Sequence, residues 1–83
     1  MKKQKLLKKL LSSTKNIRFT EAATCAEAFG FRLDRVKGSH HIFIHPDIPE
    51  LLNLQNHKGQ AKPYQVKQLL QLVEIHSLKL EQE

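Results

Sequence analysis

One short run of residues constrains the fold more than any other feature: HHIFIH at 40–45, which alternates with a period of two. Side chains that alternate in this way point to opposite faces of a β-strand. One face carries the two isoleucines together with His40. The other face carries His41, Phe43 and His45. We expect helices to cover the isoleucine face, which would leave the histidine face open.

A second strand is predicted immediately before this run, over Phe31 to Lys37. The two strands are separated by Gly38-Ser39, and glycine at the first position of a two-residue turn favours a type II′ hairpin. After the hairpin, residues 46–49 predict a turn, and residues 50–56 predict a third strand that is followed by a loop at 57–62. The middle of the chain is therefore predicted to form a three-stranded antiparallel sheet.

Helical patterns lie on both sides of this predicted sheet. Thr20 is a suitable N-cap and Gly30 a suitable stop for a helix over 20–29. Its apolar stripe consists of Ala22, Cys25, Ala26 and Phe29. Pro63 fits the first position of a helix over 63–76. Its apolar stripe consists of Val66, Leu69, Leu70 and Val73. The sequence thus predicts an α+β fold with two helices on one face of the sheet, the αβββα arrangement of double-stranded-RNA-binding domains (dsRBD-like).

The size and composition of the chain limit the classes of function. Its 83 residues suffice for one small domain with a limited core. That size argues against an enzyme with a deep cofactor pocket and leaves a binding module, a small hydrolase or a nuclease. The single cysteine, Cys25, excludes an intramolecular disulfide and a cysteine zinc cluster. No apolar run is long enough for a transmembrane span or a signal peptide, so we expect a cytoplasmic protein.

Positive charge is concentrated at the start of the chain. Residues 1–18 contain seven of the fourteen Lys and Arg residues and no acid, whereas residues 19–83 contain seven bases and eight acids. Four leucines on one side of the basic segment predict a short helix over 3–12. We therefore divide the chain into a basic N-terminal extension, residues 1–16, and a domain, residues 17–83. Such an extension favours a polyanion, namely RNA, DNA or anionic lipid, and a solvated terminus is the alternative.

The central motif resembles the HicA toxin family. The resemblance is most specific in Gly38-Ser39-His40-His41 and covers residues 17–78. Its other parts are Gly30-Phe31, Lys37, Ile42-Phe43, His45-Pro46, His57-Lys58 and the helix after Pro63. HicA toxins are small ribonucleases of bacterial toxin–antitoxin pairs that have the αβββα fold, cleave mRNA and are silenced by a HicB antitoxin. The resemblance implies an mRNA substrate and a HicB-like antitoxin as partners, and we expect no cofactor.

The resemblance also implies that His41, the last residue of Gly-Ser-His-His, is the catalytic residue. Histidine suits proton transfer in ribonuclease chemistry because its unperturbed pKa is about 6.5. The reaction also needs groups that bind the phosphate and its developing charge. The residues expected to bind RNA are Lys37, Ser39, Lys58 and Lys62. The histidine spacing does not suit a single small ion, so no metal site is expected.

Several alternatives stay open from the sequence alone. His45, on the face of His41, is a second proton carrier or, as we favour, a polar neighbour. Phe43 either stacks an RNA base or packs within the sheet. The main alternative to a ribonuclease is a non-catalytic RNA-binding module of the same fold. A third interpretation is a membrane-surface or regulatory protein that works through its basic helix.

Overall fold

The computed structural model describes residues 3–81. This part of the chain forms α1 (Lys3–Ser12), α2 (Phe19–Ala28), β1 (Arg32–Lys37), β2 (His40–His45), β3 (Ile48–His57), β4 (Gln60–Ala61) and α3 (Pro63–Ile75). The strands make one antiparallel sheet in the order β1-β2-β3-β4. The predicted α+β class is confirmed. The three predicted strands and the two flanking helices of the αβββα arrangement are present, together with an N-terminal helix and a short fourth strand, β4. β3 is longer at both ends than the predicted strand over 50–56.

The hairpin between β1 and β2 forms where the sequence predicts it. Lys37 and His40 are partners in the ladder, which leaves Gly38 and Ser39 as the two turn residues. Of these two, only Gly38 has a positive φ, 60°. That conformation is the one that a type II′ turn requires at its first position, so the predicted turn chemistry is confirmed.

The strand β4 replaces part of the loop that was predicted at 57–62. Lys58 and Gly59 both have positive φ angles, 52° and 85°. Two such residues reverse the chain in a tight turn, so that His57 pairs with Gln60. The sheet therefore has a fourth strand of two residues, in addition to the three predicted ones.

The helices cover the opposite face of the sheet from the one we predict. Phe43 is 3% exposed and Ile44 is 39% exposed, so the alternation along β2 is right but the isoleucine face is the open one. The reason lies in the neighbouring strand, where Phe43 pairs with Leu52. His41 pairs with Leu54, and both leucines are fully buried. α2 and α3 both pack on β3, so the leucines of β3 decide which face is covered.

Helix α2 begins earlier than predicted. Its N-cap is Arg18 rather than Thr20, and the backbone N–H of Arg18 donates to Glu21 Oε1 at 3.0 Å. Lys9 of α1 donates to Glu21 Oε2 at 2.6 Å. The Lys9 hydrogen bond, and after it the Arg18 N–H, hold the pKa of the Glu21 carboxyl below its ordinary value. One carboxylate therefore joins α1 to the first turn of α2.

The buried side and the end of α2 agree with the prediction. Cys25 is 1% exposed, and burial raises the pKa of its thiol to about 11. A thiol in such surroundings stays protonated and is a poor nucleophile. The helix ends at Ala28, and Gly30 follows with a φ of 97°, a conformation that favours glycine.

The N-terminal helix α1 packs against α2. Leu6 and Leu10 are 1% and 0% exposed and share one hydrophobic core with the sheet. The predicted helix is therefore confirmed, and it is docked on the rest of the protein. The division into residues 1–16 and 17–83 stays a prediction, and Lys2 of the basic segment lies outside the described residues. Within residues 3–81, no helix combines the length and the hydropathy that a membrane crossing needs.

Candidate active site

His41 lies near one end of β2, at the edge of the face that the helices cover. Its side chain is only partly buried. Its ring packs on the ring of Phe19, the first residue of α2, with 4.4 Å between the ring centroids and 51° between the planes. The prediction that His41 lies on the open face is thus wrong. The residue is nevertheless accessible, because it lies where the covering layer ends.

A hydrogen bond to the backbone determines which nitrogen of His41 carries the proton. His41 Nδ1 is 3.1 Å from the carbonyl oxygen of Ser39, and a carbonyl oxygen only accepts. Nδ1 must therefore carry the hydrogen, so the neutral ring has an unprotonated Nε2. The backbone N–H of Asn56 donates to the same Ser39 oxygen at 2.9 Å. This second bond ties the acceptor to β3.

Asn56 connects the hairpin that carries His41 to the turn that carries Lys58. Its backbone N–H binds Ser39, and its side-chain Oδ1 accepts from the backbone N–H of Gly59 at 2.8 Å. Lys58, at the tip of this turn, is exposed. It holds a left-handed backbone conformation that costs a non-glycine residue of the order of 1 kcal/mol or more.

All four predicted RNA-binding residues lie toward the same end of the sheet as His41, and three of them are on β1 or in the two turns at that end. Lys37 is paired with His40 at the end of β1 and is exposed. Ser39 lies in the turn, where its carbonyl rather than its hydroxyl contacts His41. Lys58 lies in the turn that Asn56 ties to Ser39. Lys62 is the N-cap of α3. It follows Ala61, which pairs with Asn56, so it is two strands away from His41 across the sheet.

His45 lies on the same face of β2 but at the opposite end of the sheet. It is 8% exposed, and both of its ring nitrogens are engaged. Nε2 donates to the carbonyl oxygen of Phe29 at 3.0 Å, and Nδ1 accepts from the backbone N–H of Asp47 at 3.1 Å. A Cβ on Gly30 would come within 2.9 Å of His45 Nε2, so glycine leaves room for this ring. His45 is a buried structural residue.

The remaining aromatic and histidine side chains of β2 are buried or bonded within the sheet. Phe43 is 3% exposed, so the idea that it stacks an RNA base is wrong. His40 points to the open face, where its Nδ1 is 3.2 Å from Asn53 Oδ1. In the described part of the chain, no group of three or more His, Cys, Asp or Glu side chains is arranged to hold a metal ion.

A cavity of about 360 Å³ lies at the His45 end of the molecule. Its walls include His45, His76 and Glu81. His76 donates from Nε2 to Glu50 at 3.0 Å, a contact that holds the pKa of Glu50 below its ordinary value. His45 has no free ring nitrogen and therefore supplies no base to this cavity.

Sequence reasoning missed two residues of the His41 end. Phe19 has no predicted role, because the sequence predicts that the helix starts at Thr20 and no local pattern connects Phe19 to residue 41. Asn56 is predicted only as the end of a strand. The one signal available for it was its position three residues before Gly59, the distance at which an Asn side chain can cap a turn.

Comparison with known proteins agrees with the resemblance at the hairpin. The sequence model of the family described as "HicA toxin of bacterial toxin-antitoxin" matches residues 19–75, more than half of the 83-residue chain. The match spans α2, the whole sheet and α3. No curated protein matches the chain. On the extent of the family match, the chain belongs to the HicA toxin family of bacterial toxin–antitoxin systems.

Proposed function

We propose that this HicA toxin is a metal-independent endoribonuclease that cleaves mRNA in the cytoplasm. The observation that carries the proposal is the state of His41. It is an accessible imidazole whose Nδ1 is bound to a carbonyl oxygen, and this leaves Nε2 as a base. A base in this position suits the cleavage of RNA, because the 2′-hydroxyl needs only a proton acceptor to become a nucleophile.

In the proposed reaction, His41 Nε2 accepts the proton of the ribose 2′-hydroxyl. The 2′-oxygen attacks the adjacent phosphorus, and the bond from phosphorus to the 5′-oxygen of the next nucleotide breaks. The products are a 2′,3′-cyclic phosphate and a 5′-hydroxyl, whose proton comes from the imidazolium or from water. The ring of Phe19 and the Ser39 carbonyl would hold the imidazole in one orientation during these steps.

Lys37 and Lys58 are the cations that we assign to the phosphate. Both are exposed, and both lie at the His41 end of the sheet. A positive charge beside the phosphate stabilises the extra negative charge of the transition state. Ser39 would contact the RNA backbone beside them. Lys62 lies farther along the surface, where it would contact a more distant phosphate.

The alternative function is a non-catalytic RNA-binding module of the same fold. The observation that favours it is the lack of a second proton carrier. Within residues 3–81, the hydrogen-bond partner of the His41 side chain is the Ser39 carbonyl and its ring partner is Phe19, and neither is an acid. In that case His41 would contact the RNA backbone without transferring a proton.

The test is cleavage of a labelled oligoribonucleotide by the purified chain in excess EDTA. We expect a 2′,3′-cyclic phosphate product, and no cleavage of the same oligonucleotide with 2′-deoxyriboses. His41→Ala should lower the rate by about 10²–10⁴-fold, the usual worth of a positioned acid–base group. Its unfolding free energy should change by about 1 kcal/mol or less, because the side chain is partly exposed.

Three results would contradict the proposal: cleavage of the deoxy substrate, an absolute need for a divalent metal, or an unchanged rate in His41→Ala. RNA binding without turnover at any pH would support the non-catalytic module. The proposed protein partner, a HicB-like antitoxin, is tested separately. Expression of the toxin should arrest growth, and co-expression of an adjacent HicB-like gene should restore it.

A further inference from the structure

The described part of the N-terminal segment carries only one sign of charge. Residues 3–18 contain no acid and six bases, which are Lys3, Lys5, Lys8, Lys9, Lys15 and Arg18. This segment precedes the family match, which begins at residue 19. A ligand that binds these bases would therefore be bound by a part of the chain that lies outside the matched family region.

The docking of α1 gives these charges a fixed surface. Leu6 and Leu10 are fully buried against the core, whereas Lys5 and Lys8 are exposed. Because the buried leucines fix one side of the helix, the lysines on the other side keep fixed positions, which they would not do on a frayed terminus. Lys5 and Lys8 take part in no ion pair within residues 3–81.

Lys9, near the end of α1, contacts the part of α2 that packs on the proposed catalytic residue. Lys9 donates to Glu21 in the first turn of α2, and Glu21 accepts from the N–H of Arg18. The next residue, Phe19, packs on the ring of His41. Lys9 and His41 are thus linked through three contacts, which join Lys9 to Glu21, Glu21 to the N–H of Arg18, and Phe19 to His41. Lys5 lies one helical turn before Lys9 on the same side of α1, in the direction away from His41, since Lys3 at the start of the helix donates to the carbonyl oxygen of Glu81 at 3.2 Å.

From this arrangement we propose that α1 is a second RNA-binding surface, which holds single-stranded RNA on one side of the cleavage site through its phosphates. The proposal rests on the proposed ribonuclease function for the identity of the ligand. α1 has ten residues and a length of about 15 Å, and it runs from Glu81, which contacts Lys3, to Glu21, which contacts Lys9. RNA that follows the helix would therefore extend away from the reacting dinucleotide. Lys5 and Lys8 supply two of the contacts, and Lys15 and Arg18 lie between them and His41 along the chain.

The structure favours RNA over a lipid surface as the occupant. A helix that binds a membrane inserts its apolar side among the lipids. In α1 that side is used inside the protein, since Leu6 and Leu10 are 1% and 0% exposed. The exposed residues of α1 are Gln4, Lys5, Lys8, Lys9, Leu11 and Ser12. A single exposed leucine among three lysines does not form an apolar side that could insert among lipids. Phosphates spaced along a strand are the ligand that fits a row of lysines beside a ribonuclease site.

The test measures RNA binding as a function of salt in the full chain that carries His41→Ala, so that no cleavage interferes. The variant is Lys5→Gln with Lys8→Gln. The matched control is Arg32→Gln with Lys79→Gln, which removes the same charge from exposed residues at the His45 end. The probe is a fluorescent 20-nucleotide RNA, and the readout is the slope of log K against log salt.

Each phosphate contact with single-stranded RNA contributes about 0.7 to this slope. The Lys5/Lys8 variant should therefore flatten it by about 1.4 and bind about 25-fold more weakly at ~0.1 M salt, with little loss at ~1 M. The control pair should leave the slope nearly unchanged. Equal slopes for the Lys5/Lys8 variant and its parent would overturn the proposal, and so would equal losses in the variant and the control.

A second readout separates this proposal from the proposed function. In the chain that keeps His41, the Lys5/Lys8 variant should lower kcat/KM on the 20-nucleotide RNA and leave it unchanged on a dinucleotide, which is too short to reach α1. If the chain cleaves no RNA but its binding slope depends on Lys5 and Lys8, the ribonuclease function fails and the binding surface stands. If the chain cleaves RNA normally and the Lys5/Lys8 variant has the same binding slope as its parent, the ribonuclease function stands and the binding surface fails.

Discussion

His41 and His45 lie on the same strand and the same face, about 13 Å apart along β2, yet their surroundings are opposite. His41 is partly exposed and has one ring nitrogen bound, which leaves Nε2 free. His45 is buried and has both nitrogens bound. In the neutral ring, His41 carries its proton on Nδ1, whereas His45 carries it on Nε2. The chemistry of a histidine here depends on its hydrogen bonds and exposure, and not on its place in an alternating pattern.

The largest stability effect that separates the two histidines is expected for His45→Ala. The substitution removes a buried ring and leaves the Phe29 carbonyl and the Asp47 N–H without their partner. We expect a loss of about 2–4 kcal/mol in the free energy of unfolding. Urea denaturation followed by circular dichroism measures it. The cleavage rate per folded molecule should stay near that of the wild type. A 10²-fold loss in this rate would show that His45 takes part in the reaction, and the two histidines would then not differ in function.

Lys58→Asn tests whether a cation at the His41 end of the sheet takes part in cleavage. Asparagine tolerates positive φ better than lysine does and is favoured before glycine in this kind of turn. The variant should be more stable by about 0.5–1 kcal/mol and should cleave roughly tenfold more slowly, since it lacks a charge near the phosphate. Thermal unfolding and initial cleavage rates measure the two effects.

Lys79→Asn is the control, because Lys79 lies at the His45 end and should affect neither quantity by much. An unchanged cleavage rate in Lys58→Asn would show that Lys58 does not bind the reacting phosphate.

The smallest expected effect is the acid dependence of the contact between α1 and α2. The pKa of Glu21 is lowered in the folded protein, chiefly by Lys9. A carboxyl with a lowered pKa stabilises the fold above its unfolded pKa, about 4.3, and this contribution is lost as the pH falls through the lower folded value. Glu21→Gln should cost about 0.5–1 kcal/mol at pH 7 and less at pH 3.

Urea denaturation at pH 7, 5 and 3 gives this pH dependence directly. Glu27→Gln, an exposed change on the same helix, is the control and should have almost no effect. A cost for Glu21→Gln that stays the same from pH 7 to pH 3 would show that the carboxylate charge does not hold α1 against α2.

The sequence predicts the local features of the fold well, because they depend on neighbouring residues. The turn at Gly38-Ser39 and the stop at Gly30 follow from the φ angles that glycine allows. The period of two along β2 also predicts correctly which side chains share a face. These features need no knowledge of distant contacts.

The covered face could not be predicted from β2 alone. Isoleucine is more apolar than histidine, so the pattern favours covering Ile42 and Ile44, but the strand pairing places Phe43 beside Leu52. The sequence shows that Leu52 and Leu54 share one face of β3, but it does not show how β2 is aligned with β3. For the same reason the contact between Phe19 and His41 was not predictable, since it joins residues that lie far apart in sequence.

The central claim is that the fold presents His41 with an unprotonated Nε2, and the most direct test is the tautomer of each histidine. A long-range ¹H–¹⁵N NMR spectrum of the ¹⁵N-labelled protein, recorded where the rings are neutral, distinguishes the two ring nitrogens. We predict that His41 is protonated on Nδ1, toward the Ser39 carbonyl, and that His45 is protonated on Nε2, toward the Phe29 carbonyl. A His41 ring with its hydrogen on Nε2 would contradict the account, because the accessible nitrogen could not then accept the proton of a 2′-hydroxyl.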